Sequence, residues 1–100
     1  MIYRQGDVLI LKTDRAPNGR IVPRENGRIV LAHGEVTGHA HAILEKGPVL
    51  FENGNTRILV VDVETNLVHE EHSTIKLPAG VYEIRRQREI EAGSIRPVAD

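Results

Sequence analysis

The chain has 100 residues, enough for one domain, and its 13 Lys and Arg against 14 Asp and Glu leave no global field that would gather polyanions or an anionic membrane. Cysteine is absent, which excludes disulfides and thiolate metal sites, so a metal would have to be held by imidazole and carboxylate. Arg4 and Asp7 interrupt the N-terminal apolar run that a signal peptide needs, and no stretch approaches a membrane span of about 20 apolar residues. We expect one soluble, cytoplasmic domain over residues 1–100.

Short apolar runs separated by turn residues begin near the N-terminus. Residues 7–12 (DVLILK) form a run rich in aliphatic side chains, and Pro17-Asn18-Gly19 then supplies turn geometry. An apolar pair at 21–22 and an apolar triplet at 29–31 flank Asn26-Gly27, a combination typical of a β-hairpin. The first third of the chain therefore predicts a strand, a loop and a hairpin.

The same pattern continues to the C-terminal part. Residues 49–51 and 58–63 flank a second Asn-Gly pair, Asn53-Gly54, and Pro78-Ala79-Gly80 separates the short run 75–77 from a long last strand over residues 81–90. No stretch sustains the 3.6-residue apolar period of a helix. The spacing predicts an all-β domain of roughly eight short strands, folded as a small barrel or sandwich.

The segment GHAHAILE, residues 38–45, carries two histidines one residue apart. On a strand, alternation places His39, His41, Ile43 and Glu45 on one face, so two imidazoles converge. A solvent-facing strand edge without function is the plain alternative. Four of the five histidines nevertheless fall in this segment and one other, and this clustering favours a shared metal site.

The second histidine segment is VHEEH, residues 68–72. If it is extended in phase with the run at 75–77, His69 and Glu71 face inward while Glu70 and His72 face outward; one turn of helix would instead place both histidines on one face. We prefer the extended form, with His69 as the next ligand and His72 as its substitute. Glu70 and Glu71 are candidate general bases or members of a solvated acidic patch. The fifth histidine, His33, is expected to end a strand.

The segment GHAHAILE resembles the first metal motif of the cupin superfamily, in which a His-x-His pair is followed by a glutamate on one strand of a small β-barrel. The resemblance implies a cupin-like architecture with His39, His41 and Glu45 as ligands. It also implies a fourth ligand from a later strand, for which His69 or His72 is the counterpart. A cupin-type enzyme would be a metal-dependent hydrolase, isomerase or dioxygenase acting on a small molecule.

Histidine and carboxylate ligands suit Zn(II), Fe(II), Mn(II), Ni(II) or Cu(II), and three protein ligands would leave a position open for water or substrate. Two alternatives remain. A non-catalytic module could bind a protein partner, or could contact nucleic acid through Arg85, Arg86 and Arg88, although arginines on an edge strand more often prevent strand pairing. Paired imidazoles without metal could hydrolyse a phosphodiester. Small barrels often cover sheet edges by pairing, so a homodimer is also expected.

Overall fold

The fold is described by a computed structural model for residues 1–87. The predicted end of the last strand at Ile90, the tail and Arg88 lie outside the described residues. Within them the chain is all-β, as predicted. The strands are β1 (Ile2–Gln5), β2 (Val8–Lys12), β3 (Arg20–Ile21), β4 (Ile29–His33), β5 (Ala40–Ile43), β6 (Val49–Asn53), β7 (Thr56–Val61), β8 (Thr65–Val68), β9 (Ile75–Leu77) and β10 (Gly80–Arg86).

The strands form two antiparallel sheets. One has six strands in the order β1-β2-β10-β7-β6-β3, and the other has four in the order β4-β5-β8-β9. Neither sheet closes on itself, so within the described residues the architecture is a small sandwich and not a closed barrel. The histidine segments both belong to the smaller sheet, because β5 pairs with β8 at Ala42↔Val68 and Ile43↔Leu67.

The two Asn-Gly turns have different outcomes. The second is confirmed as the hairpin turn between β6 and β7, where Asn53 pairs with Thr56. The first is a tight turn with Asn26 and Gly27 at positive φ, but the residues paired across it form only the isolated bridge between Glu25 and Arg28. The hairpin predicted between residues 21–22 and 29–31 was therefore wrong.

The pairing partners explain that error. Strand β3 pairs with β6, at Arg20↔Glu52 and Ile21↔Phe51, while β4 pairs with β5. A turn sequence fixes only the local reversal of the chain, whereas the pairing is fixed by which apolar faces are buried together. Strand β4 belongs to the smaller sheet and β3 to the larger one, so the segments on either side of the Asn26-Gly27 turn do not pair with each other.

The core lies between the sheets and is built by alternation. Residues Val8 and Ile10 of β2 and Tyr82 and Ile84 of β10 point into it, and the hydroxyl of Tyr82 donates to the carbonyl oxygen of Pro78 at 2.6 Å. That hydrogen bond satisfies the polar end of a buried aromatic residue. The other buried apolar side chains of the cluster are Ile29, Leu31, Ala32, Ile43, Leu50, Leu59, Val61, Leu67 and Leu77.

Strand β10 is an interior strand, flanked by β2 and β7. The expectation that its arginines protect a sheet edge was therefore wrong. Arg85 is exposed and donates to Glu83 at 2.8 Å, whereas Arg86 is half-buried and pairs with Asp7 at 2.9 Å. Alternation sends these neighbouring arginines to opposite faces. Residues 1–87 contain no helix with the length and apolarity needed to cross a bilayer.

We expect Leu59→Ala to lower the free energy of unfolding by about 2–5 kcal/mol, the usual cost of truncating a buried leucine. Leu59 has no exposed surface and lies between Leu50 and Tyr82 in the six-stranded sheet. Urea unfolding measures the change. The matched control is Leu44→Ala, because Leu44 is 61% exposed and its truncation should change the stability by less than about 0.5 kcal/mol. Equal effects of the two substitutions would contradict the described core.

Candidate metal centre

A pocket of about 330 Å³ lies where the β1–β2 turn, the β4–β5 loop and the β8–β9 loop meet. Four of the five histidines of the chain line it, and the charged residues of its wall are three carboxylates and one guanidinium. These lining residues are His39, His41, His69, His72, Asp7, Glu35, Glu71 and Arg86. The tertiary structure therefore brings together the two histidine segments that the sequence singled out.

The four imidazole rings are close neighbours. Ring centroids are 4.3 Å apart for His41 and His69, 4.7 Å for His69 and His72, and 5.9 Å for both His41 with His72 and His39 with His69. Four imidazoles held tetrahedrally by one ion through bonds of about 2.1 Å would have centroids about 5 Å apart. The observed spacings, three of which involve His69, lie on both sides of that value.

The two segments reach the pocket by different means. His41 lies within β5, and β5 is held between β4 and β8. His69 and His72 lie beyond the end of β8, in a segment that bends at residues 70–72 before β9 begins. The extended form predicted for residues 68–72 was therefore wrong. The bends let both His69 and His72 line the pocket.

His41 is buried, and Gln5 fixes its orientation. Its Nδ1 lies 2.8 Å from Gln5 Oε1, and its Nε2 lies 3.8 Å from Asp7 Oδ1. Burial, followed by the charge of His69, lowers the pKa of His41 from 6.5 to about 4, although Asp7 acts in the opposite direction. Burial disfavours the charged ring. His41 is thus a neutral imidazole at physiological pH, which is the form that binds metals.

The glutamates of the second segment have separate contacts. Glu71 Oε2 lies 2.7 Å from His39 Nδ1, although the contact lacks the alignment of a hydrogen bond. Glu70 Oε1 accepts the backbone N–H of Ala40 at 2.9 Å, and this hydrogen bond is the main cause that lowers the pKa of Glu70. Glu70, which follows β8, thus satisfies the backbone N–H of the first residue of β5, whereas Glu71 lines the pocket.

Glu45 does not join the histidines. Its Oε2 accepts from the backbone N–H and from the side-chain amide of Asn66, both at 3.0 Å. Slight burial acts to raise the pKa of Glu45, but its own backbone N–H, Thr65 and Asn66 outweigh that effect and lower it. Strand β5 ends at Ile43, so the alternation that would have aligned Glu45 with His39 and His41 stops before it.

His33 also lies outside the pocket. It is the last residue of β4, as expected, and its Nε2 lies 3.2 Å from Glu25 Oε1 on an exposed surface. His33 therefore provides a natural control for substitutions of the four clustered histidines.

Sequence reasoning missed the contribution of the β1–β2 turn. Gln5 ends β1, Gly6 and Asp7 join β1 to β2, and β1 itself was not predicted. Gly6 has φ of 59°, and a Cβ there would lie 2.8 Å from His72 Nε2. Gly6-Asp7 between two alternating runs is a hairpin sequence that could have been found. That this turn lies close to His41 could not have been predicted, because the closeness depends on long-range strand pairing.

The wall of the pocket is electronegative. With the histidines neutral, the carboxylates of Asp7, Glu35 and Glu71 exceed the single guanidinium of Arg86 by two charges. Part of that charge is paired, since Arg86 Nη2 lies 2.9 Å from Asp7 Oδ2. Such a wall attracts cations and repels anionic ligands.

The donor set suits a divalent ion in kind, since imidazole and carboxylate are common ligands, but its atoms are not placed as the ligands of one ion. As placed, the side chains of residues 1–87 contain no group of three or more His, Asp or Glu residues in the geometry of a metal site. Two ligand atoms on one ion lie about 3.0–3.5 Å apart, and His41 Nε2 and Asp7 Oδ1 are separated by 3.8 Å. Binding of an ion would therefore require rotation of exposed side chains such as His72, while Gln5 holds the ring of His41.

The chain matches the model of a known family. The model of a family described as a domain of unknown function (DUF8820) matches residues 4–87, which include both histidine segments and the β1–β2 turn. No curated protein and no solved structure matches the chain.

Proposed function

We propose that this chain, which belongs to the DUF8820 family, binds one divalent metal ion in the histidine pocket. The observation that carries the proposal is the convergence of four imidazoles from two separate segments, at centroid spacings of 4.3–5.9 Å, in an electronegative pocket. Burial and the neighbouring His69 lower the pKa of His41, so this ring is neutral, and a neutral imidazole is a ligand.

The proposed ligands are His39, His41 and His72. The Nδ1 atoms of His39 and His41 face Glu71 and Gln5, which leaves each Nε2 for a metal. A carboxylate or amide behind a ligating imidazole orients the ring and strengthens it as a ligand. Glu71 therefore supports His39 in this proposal and is not assigned as a general base.

The carboxylate predicted for this site is supplied by a different residue. Asp7 replaces Glu45 as the carboxylate beside the site, because Asp7 Oδ1 lies 3.8 Å from His41 Nε2 while Glu45 is bonded to Asn66. Asp7 is also paired with Arg86 and is not counted among the ligands. A set dominated by imidazole suits Zn, Cu, Fe and Ni better than Mn. Three histidine ligands leave a position open for water or a small molecule, and a bound ion would supply Lewis acidity there.

Zinc is the probe for the first test. Protein purified without a histidine tag and stripped of metal should bind one equivalent of Zn(II) in a calorimetric titration. Free zinc at about 100 times its Kd stabilises the folded state by about 2.7 kcal/mol, so the Tm should rise by about 10 °C or more. A chelator should reverse the rise. An unchanged Tm and no saturable heat at micromolar zinc would contradict the proposal.

A metal-free use of the imidazoles is the second candidate. It is favoured by His69, whose Nδ1 accepts the backbone N–H of Glu71 at 3.0 Å, so that Nε2 carries the proton beside the lone pair of His41. Such a pair could move a proton in hydrolysis of a phosphodiester. The electronegative wall opposes this candidate because a phosphodiester is anionic. Activity that persists in chelator would favour it over the metal site.

Four other expectations stay predictions. A relationship to the cupin superfamily rests on the spacing of His39, His41 and Glu45, and Glu45 lies apart from the other two. A homodimer and a cytoplasmic location are likewise predictions. Contact with nucleic acid through Arg85 and Arg86 has weaker support than metal binding, because each of these side chains is paired with an acidic neighbour.

A further inference from the structure

Gln5 is a buried residue whose amide group can adopt only one orientation. Its Nε2 donates to the carbonyl oxygens of Leu67 and Ser73, at 2.9 and 3.0 Å. Carbonyl oxygens only accept hydrogen bonds, so the nitrogen of the amide must lie on that side and Oε1 must lie toward His41.

The orientation of Gln5 determines the tautomer of His41. Gln5 Oε1 only accepts, and it lies 2.8 Å from His41 Nδ1, so Nδ1 carries the proton. In the neutral ring the lone pair is then on Nε2, the nitrogen that faces Asp7. Gln5 thereby also ties β1 to the end of β8 and to the loop that carries His69 and His72.

His69 has the opposite arrangement. The backbone N–H of Glu71 donates to His69 Nδ1 at 3.0 Å, so this nitrogen carries the lone pair and Nε2 carries the proton. Gly34 lies beside that atom, and a Cβ at this glycine would be 3.2 Å from His69 Nε2. The glycine leaves space for a bound atom next to the donor. The rings of His41 and His69 are 4.3 Å apart, so a lone pair and an N–H line one pocket.

We propose that Gln5 and the backbone N–H of Glu71 hold His41 and His69 in opposite tautomers, which makes His41 an acceptor and His69 a donor in one pocket. The consequence for ligands rests on the proposed metal site. His41 coordinates the ion, while His69 donates its Nε2–H to an oxygen bound to that ion. The open position therefore takes water, hydroxide or a carboxylate and not an ammonium group, which has no lone pair to accept this hydrogen bond.

The tautomers are measured directly, without metal. Protein labelled with ¹⁵N-histidine and treated with chelator is recorded above pH 7 by long-range ¹H–¹⁵N correlation, which distinguishes protonated from unprotonated ring nitrogens. The proposal predicts a protonated Nδ1 in His41 and a protonated Nε2 in His69. The same tautomer in both rings, or rapid averaging in either, would overturn it.

Substitution of Gln5 tests its role as a positioning residue. Gln5→Leu removes the acceptor and should convert His41 mainly to the Nε2-protonated form while leaving His69 unchanged. Gln5→Glu retains an acceptor and should preserve the tautomer of His41. Gln5→Glu loses the donor to Leu67 and Ser73, so its spectrum is read only if the variant folds. If neither variant folds, the spectrum of the parent protein still decides the two tautomers. An unchanged His41 signal in folded Gln5→Leu would show that Gln5 does not set the tautomer.

Addition of one equivalent of Zn(II) then tests whether His41 is the ligand and His69 the hydrogen-bond donor. The Nε2 signal of His41 should move to the range of a coordinated nitrogen, and His69 should keep its Nε2 proton. Coordination through His69 Nε2 would overturn the donor assignment. If no ring responds to zinc, the proposed metal site fails, while the tautomers and the effect of Gln5→Leu remain readable in the metal-free spectra.

Discussion

His41→Ala should lower the affinity of the protein for Zn(II) by at least about 100-fold, because loss of a residue that merely orients a ligand already costs about 10- to 100-fold. His41 is a buried ring of the cluster, with centroids 4.3 Å from His69 and 5.9 Å from His72. Calorimetric titration of the metal-free protein measures the loss.

Two further variants make that result interpretable. His72→Ala should also weaken binding strongly, and because His72 is exposed its truncation leaves the core intact. His33→Ala is the matched control, since this histidine contacts Glu25 outside the pocket and should leave the affinity unchanged. Parent-like affinity in both His41→Ala and His72→Ala would contradict the site. A loss in His33→Ala equal to theirs would indicate non-specific binding.

The metal-free protein should lose stability between pH 6.5 and pH 4. The pKa of His41 is lowered from 6.5 to about 4 in the folded state by burial and by His69, His72 and Arg86, against the opposing charge of Asp7. Between these values the unfolded chain binds the proton and the folded chain does not, so stability falls as the pH falls. The full loss should be about 3 kcal/mol, at about 1.4 kcal/mol per unit of pKa.

Urea unfolding in chelator at intervals between pH 7 and pH 4.5 measures this loss, and His41→Gln is the control. Glutamine cannot be protonated, so the dependence on pH in this window should largely disappear. The carboxyl groups with lowered pKa values, Glu45 and Glu70, do not produce the same effect. Their stabilising contribution is lost only below pH 4.5, as the pH falls through their lowered folded-state pKa values. An equal slope in the parent and in His41→Gln would contradict the assignment to His41.

Local patterns predicted the strands better than their partners. The run at 7–12, the Asn53-Gly54 hairpin and the run at 75–77 correspond to described strands and a described turn. The hairpin expected around Asn26-Gly27 failed because β3 pairs with β6 across a gap of about thirty residues. A short apolar pair such as Ile21-Val22 contains no information on which strand it will join.

For the site, the histidines were predictable and the supporting residues were not. Clustering of four histidines in two short segments marked His39, His41, His69 and His72, and all four line one pocket. The alternation that added Glu45 assumed a strand two residues longer than β5. The orienting residue Gln5 stood in no motif, because a lone glutamine on a short strand has no distinguishing pattern.

The amino-acid sequence by itself determined the all-β character and the type of donor available, since alternation and turn residues act over a few positions and the absence of cysteine leaves only imidazole and carboxylate. Only the tertiary structure decided that two open sheets form, that Asp7 and not Glu45 accompanies the histidines, and that Gln5 orients His41. The physical reason is that proximity across a sandwich depends on long-range strand pairing. That pairing is selected by burial of all apolar faces together, and no single segment specifies it.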